Sequence, residues 1–448
     1  MQLILNSDSY EQVLTLASEF RRTVRGMRDL IDDEAERLRR IEQKAREVSR
    51  LYGYNEVITP LVERYELLAA KVGEDNRKRM FVFEDLGGRK VALRPEFTAS
   101  VARLVATKMQ SAPRPLRLFS VGSLYRYDEP QFGRYREFWQ ANYELFGSSR
   151  PEADTEILAL TDNLLKEIGA KNYHFKIGHV GVLRSILSHD GIAEEVQNSI
   201  MKLLDKKQYD DAVEVARKAG SPKSSLETLE SILKIRGQDS ETVVSKTCET
   251  VKNFPEALDA ARNLGEILSL LKAGGIEVNL VIEAGFARGL EYYTGMVFEI
   301  YTQGMDIAVG GGGRYDKLIE LFGGGQVPAV GVALGVDRLS LSLQKQGSTF
   351  QGSGESRILV VAVDSSMFGE AVKVSSILRK NGVAVELETM GRSVSKALSD
   401  ADRRSVTHAV IVGSREIKEK KVVLRFMKER TQETVPLGRL LEKIGRKG

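Results

Sequence analysis

The stretch YRYDEPQFGRYREFWQANYELFG, Tyr125 to Gly147, sets Arg126, Arg134 and Arg136 within a few residues of Gln140 and the carboxylate of Glu144. A guanidinium carries its N–H donors in a planar fork that matches the oxygens of a phosphate. Carboxylate and amide oxygens accept hydrogen bonds from an ammonium or a ring N–H. Pro130 and Gly133 make DEPQFG a turn, and its flanks alternate as strands. Counted by twos, Arg134, Arg136, Phe138, Gln140, Asn142 and Glu144 share one face, and Tyr135, Trp139, Ala141, Tyr143 and Leu145 share the other. Such a polar face is either a solvated surface with cross-strand charge pairs or the floor of a cleft. The rest of the chain favours the cleft.

At 448 residues, 42% hydrophobic and 29% charged, the chain has the composition of a soluble globular protein with two or three domains. It has no apolar run of about 18 residues and no basic leader at MQLILNSDSYEQVL, so neither a membrane span nor a targeting peptide is expected. A single cysteine, Cys248, excludes an intramolecular disulfide and any multi-cysteine metal site, and it reads as an inert helix residue. The expected compartment is the cytoplasm. The net charge of +4 is small, but residues 415–448 hold eleven Lys or Arg against five Asp or Glu. That tail suits a phosphate-backbone partner or a solvated surface.

The elements that must position the polar face follow from periodicity. Residues 32–52 form an amphipathic helix, GYNEVITP a strand ending at Pro60, and MFVFED and KVALR a pair of strands. RPEFTASVARLVATKM reads as a helix with Pro95 in its first turn. A second helix, PEADTEILALTDNLLKEIG, precedes the strand YHFKIGH. Residues 181–273 read as a helical insertion, after which EVNLVIEAGF, MVFEIYT and DIAVGGGG resume as strands, and VPAVGVALGVDRLSLSLQK as strand then helix. A small polar linker, 344–356, leads into a β-α-β-α-β pattern. The expected fold is α+β, with an antiparallel sheet flanked by helices over 25–345, an extension at 1–24 and an α/β domain at 357–448. GGGGRYDK has the wrong spacing for a phosphate loop.

In that order, GYNEVITPLVE, YRYDEPQFGRYREFWQ and GVALGVDRL resemble motifs 1, 2 and 3 of the class II aminoacyl-tRNA synthetases. RGLEYYTGMVFE, GGGGRYDKL, RGMRD and RPEFTAS are similar to segments of the histidyl-tRNA synthetases, with Phe97 where glycine is commoner. GRSVSKALSDADRR followed by HAVIVG resembles that family's anticodon-binding domain.

The resemblance implies an enzyme that joins L-histidine to ATP and passes it to tRNA(His), working as a homodimer with Mg²⁺ bridging the phosphates. It implies Arg126 and Arg288 as catalytic cations on the α-phosphate, with Arg134, Arg338 and Arg136 on the rest of ATP. Glu96, Thr98 and Gln140 would accept the substrate ammonium, and Glu144 with Tyr292 or Tyr293 would take the imidazole. Gln131, Arg392, Lys396, Arg403 and Arg404 are the implied tRNA contacts. A non-catalytic regulatory subunit of ATP phosphoribosyltransferase shares this core, but usually lacks the last domain and breaks the arginine set. A synthetase for glycine, proline or threonine is disfavoured by RGLEYYTG and GGGGRYD.

Overall fold

The computed structural model describes residues 20–70, 74–289, 291–347 and 357–445. Most of the expected N-terminal extension, and the linker from 348 on, therefore lie outside the described residues. The chain divides into two compact units, 1–349 and 350–448.

The first unit holds strands β1 (Asn55–Glu56), β2 (Val62–Arg64), β3 (Val82–Glu84), β4 (Lys90–Leu93), β5 (Leu116–Tyr125) and β6 (Glu137–Phe146). There follow β7 (Tyr173–His179), β8 (Arg236–Gly237), β9 (Leu280–Glu283), β10 (Met296–Thr302), β11 (Gly310–Arg314) and β12 (Ala329–Gly335). Nine of them form one sheet in the order β1-β5-β6-β12-β11-β10-β7-β9-β8, and β2-β4-β3 form a small one. Pairing in the large sheet is antiparallel except at β1 with β5 and β7 with β9.

The alternation read on β6 divides its two faces by chemistry and not by exposure, since Asn142 and Glu144 are as buried as Tyr143. Ala141, Tyr143 and Leu145 are buried, and Tyr143 Oη donates to the carbonyl of Ala45 at 2.8 Å. Ala45 lies on helix Asp32–Leu51, whose Leu38, Ile41 and Val48 supply the apolar stripe expected from their spacing. Helix and rings thus close one face of the sheet and leave the even residues of β6 for a cavity.

Three expectations are corrected. The strand of GYNEVITP pairs only over Asn55–Glu56 and stops short of Pro60, which has no N–H to give a ladder. The helix after Pro95 begins at Thr98, with Phe97 as its buried N-cap and the Pro95 carbonyl accepting from Arg126 Nε at 2.9 Å. The two-residue alternation does not extend back to Arg134 and Arg136, because β6 starts at Glu137. Residues 126–136 are a loop, turned at Gly133 (φ +71°) and tied by Tyr127 N–H to Arg79 O and by Arg136 N–H to Gly26 O.

The insertion packs helices Val180–His189, Glu194–Asp205, Tyr209–Lys218, Lys223–Lys234, Ser240–Thr250 and Pro255–Ala273 around Leu183, Ile186, Ile200, Ala216 and Ile232. Cys248 packs partly buried against that core. The second unit holds β13 (Ile358–Ala362), β14 (Val385–Leu387), β15 (His408–Val412), β16 (Lys421–Phe426) and β17 (Thr431–Pro436), ordered β14-β13-β15-β16-β17. Its first three strands are parallel, as β-α-β crossovers require, and β16 and β17 add an antiparallel hairpin that the sequence reading did not assign.

Candidate active site

A cavity of about 270 Å³ lies over the glycine-rich strands β11 and β12 and the even face of β6. One end is acceptor-rich. Glu144 is buried, and its Oε1 accepts from Thr98 Oγ1 at 2.7 Å and Asn142 Nδ2 at 2.6 Å. Its Oε2 has no hydrogen-bond partner, and neither has Gln140 Oε1. Burial pushes the Glu144 carboxyl up to about 8, and neighbouring Glu96 adds to the rise against the pull of Thr98 and Asn142. Glu96 is itself held above the usual carboxylate range by burial, with Arg126 and the Tyr292 hydroxyl opposing.

The other end is cationic. Arg126 follows β5 and lies 5.1 Å from the Phe138 ring centroid. Arg134 comes from the loop, and its Nε has no partner. Arg338, in helix Val336–Lys345, donates to Gly133 O at 3.0 Å and Ala308 O at 2.8 Å. Burial and then the charges of Arg126 and Arg134 pull Arg338 down to about 10. Asp128 and Asp337 offset only part of that repulsion on Arg338, so an anion brought among the three cations would be held by them.

Between the two ends lies Arg288. Its Nη1 donates to Tyr293 Oη at 3.3 Å, and its Nε is 3.4 Å from Glu299. Burial disfavours its charge, but Tyr293, Glu299, Tyr292 and Asp205 outweigh that and hold it above the ordinary arginine range. The rings of Tyr292 and Tyr293 sit 4.9 Å apart.

The glycines make room for these side chains. A Cβ on Gly331 would stand 1.9 Å from Glu144 Oε2, one on Gly311 2.7 Å from Arg288 Nη1, and one on Gly313 2.9 Å from Tyr293.

The cavity brings together Glu96, Thr98, Arg126, Arg134, Gln140, Glu144, Arg288, Tyr292, Tyr293 and Arg338. Arg136 does not line it. That side chain is buried behind the loop, its guanidinium 3.7 Å from the Tyr127 ring and its Nε on Asp128 O. Gln131 is exposed at the loop tip, bridged to Arg134. In the second unit, Arg392, Arg403 and Arg404 converge on Asp400, and Lys396 is exposed on the same helix. The sequence reading did not single out Asn142, Tyr315, Glu299 or the Arg79–Asp128 pair, all of which line the cavity. Asn142 had a signal, since it shares a face with Gln140 and Glu144. Arg79 had none, because only the fold carries it to the loop.

Among the described residues no cluster of three His, Cys, Asp or Glu suits a metal cage, and no helix is long and apolar enough to cross a membrane.

A family model described as histidyl-tRNA synthetase matches residues 26–339, and one described as anticodon binding domain matches 357–447. A histidine–tRNA ligase of Methanocaldococcus jannaschii is 41% identical over 90% of this chain and 94% of its own length. One from Sulfolobus acidocaldarius is 38% identical over 94% and 98%. The structure of apo Staphylococcus aureus histidyl-tRNA synthetase superposes with a TM-score of 0.71 at 25% identity, covering 95% of this chain and 100% of that one.

Proposed function

Because the chain belongs to the histidyl-tRNA synthetase family and is an ATP-dependent ligase that charges tRNA(His) with histidine, we propose that the two ends of its cavity divide the substrates. The acceptor end, with Glu144, Gln140, Thr98 and Glu96, takes histidine, and the arginine end takes ATP. The observation that carries this reading is the pairing of a buried, unpartnered Glu144 oxygen with Arg338 held against the charges of Arg126 and Arg134 in one cavity.

Attack of the histidine carboxylate on the α-phosphorus concentrates negative charge on the phosphoryl oxygens, and preorganised cations lower that barrier most. Arg126 and Arg288 serve the α-phosphate, with Arg134 and Arg338 on the remainder of the nucleotide. Glu144 Oε2 accepts the imidazole N–H, and Tyr293 or Tyr292 meets the other ring nitrogen. Arg136 acts indirectly, by bracing the loop that carries Arg134.

Mg²⁺ typically needs only one or two protein carboxylates beside substrate phosphates, and carboxylates line this cavity. When bound with ATP it would neutralise phosphoryl charge. Asp128 and Glu299, both lining the cavity, are carboxylates that would hold it beside the phosphates.

Exposed Ile58, Leu61 and Val62 beside Pro60, with Phe83 on the same face of the small sheet as Val62, support a homodimer through this face. The cytoplasm is the proposed compartment. The second unit is proposed to bind tRNA through Arg392, Lys396, Arg403 and Arg404, with Gln131 near the acceptor end. A regulatory subunit of ATP phosphoribosyltransferase would need neither the intact arginine set nor the anticodon-binding domain.

A panel of amino acids in ATP–pyrophosphate exchange tests the assignment. Histidine alone should support exchange; exchange with another amino acid and not with histidine would overturn it.

A further inference from the structure

The loop that carries Arg288 belongs in large part to the helical insertion, although Arg288 faces the sheet. Ala284 and Ala287 are buried in the insertion's own core, with Leu187, Ile232 and Phe254. Ala284 N–H donates to Ile235 O at 3.0 Å. Gly285 lies so close to helix Lys223–Lys234 that a Cβ there would stand 3.0 Å from Leu233 Cα. A Cβ on Gly289 would meet Asp205 Oδ2 at 2.8 Å, and the Gly289 N–H donates to the Asp205 carboxylate. Glu291 pairs with Lys202 at 2.8 Å. On the other side, Phe286 packs in the core of the catalytic sheet, with its Cβ crowding the Cβ position of Gly178.

We propose that the helical insertion is the positioning device for Arg288, and that Asp205, at the end of helix Glu194–Asp205, is its positioning residue. Resting on the assignment of Arg288 to the α-phosphate, this gives the insertion a part in activation itself. Asp205 fixes the Gly289 backbone next to Arg288, and its charge, with that of Glu299, acts on the guanidinium. Gly289 has no side chain, and the Asp205 carboxylate occupies the space of one. Shape and charge there are set some 80 residues upstream in the chain, in a module that touches neither substrate in this reading.

The test is a double-mutant cycle in the full chain, read by histidine-dependent ATP–pyrophosphate exchange and thermal melting. Asp205→Ala should lower kcat at least about tenfold, with KM for histidine and ATP within about twofold and Tm nearly unchanged. Asp205→Asn, which keeps an acceptor for Gly289 N–H, should recover part of that loss. In an Arg288→Lys background, Asp205→Ala should cost little more, because it acts through the group already altered. Equal losses in both backgrounds, or wild-type kcat in Asp205→Ala, would overturn the proposal. Full activity in Arg288→Lys and Arg288→Gln would instead overturn the assignment of Arg288. Gly289→Ala is the independent second variant: it should lower kcat from the loop side with Asp205 intact, and wild-type kcat there would count against the proposal.

Discussion

Glu144 gives the sharpest test of the acceptor end, because its proton should be counted directly. With its carboxyl near 8 in the free enzyme, about 0.9 of the molecules carry that proton at pH 7 and about 0.1 at pH 9. An imidazole N–H brought to Oε2 favours the carboxylate, so histidine binding must expel the proton. Titration calorimetry in two buffers of different ionisation enthalpy should find about 1.1 protons released per histidine at pH 7, about 0.9 from Glu144 and about 0.2 from the substrate ring. The histidine Kd should fall about tenfold per pH unit between about 6.5, where the free ring loses its own charge, and about 8, and then stop falling. A release at pH 7 no larger than the ring's own about 0.2 proton would refute the reasoning.

The same group leaves a mark on stability with the opposite trend. A carboxyl raised above its unfolded value binds its proton more tightly in the folded state. Its contribution is therefore complete below about 4.5 and is lost as pH rises towards about 8. The loss is about 1.4 kcal/mol per pH unit, about 5 kcal/mol in all. Glu144→Gln should flatten that descent in melting profiles of the free protein and raise KM for histidine far more than KM for ATP. A variant profile parallel to wild type across this window would remove Glu144 as the source.

Three further outcomes follow from the geometry. Gly331→Ala puts a methyl on Glu144 Oε2, so histidine KM should rise steeply and stability drop by about 1–3 kcal/mol in chemical denaturation. Arg338→Gln removes one of three clustered cations and should cut kcat/KM for ATP by about 10²-fold with histidine KM little changed; an equal rise in histidine KM would place Arg338 at the wrong end. Asp400→Asn removes the counter-charge shared by Arg392, Arg403 and Arg404, freeing Arg403 while Arg392 stays on Glu388 and Arg404 on Glu386, so tRNA affinity should rise and its salt dependence steepen in filter binding, while pyrophosphate exchange stays unchanged.

The sequence showed most clearly what depends on local periodicity. The even face of β6, with Gln140 and Glu144, could be counted by twos because the strand is regular from Glu137 to Phe146. Arg136 could not, since the count ran through a loop whose phase is set by Gly26 and Arg79, distant in sequence. The grouping of Arg126, Arg288 and Arg338 came from family resemblance, as no spacing rule joins residues that far apart. Contacts such as Asp205 with Gly289, or Arg79 with Asp128, link separate elements through the fold and leave no local pattern.

The glycine run shows why one signature invites two readings. Glycine in a strand interior costs about 0.5–1 kcal/mol against alanine, so Gly310 to Gly313 beside Gly331 is a poor sheet on propensity alone. In a phosphate loop such glycines would offer N–H groups to an anion. Here those of β11 face the ladders of β10 and β12, and what the glycines provide is height. Without Cβ atoms, Arg288, Tyr293 and Glu144 lie directly on the sheet, each closer to the backbone than any side chain beneath would permit. The strands give up intrinsic stability so that side chains from β6 and the Arg288 loop reach the cavity floor: a Cβ at Gly311 or Gly331 would meet Arg288 or Glu144 first, whereas one at Gly312 would meet the Gly331 carbonyl at 2.1 Å and disturb the sheet itself.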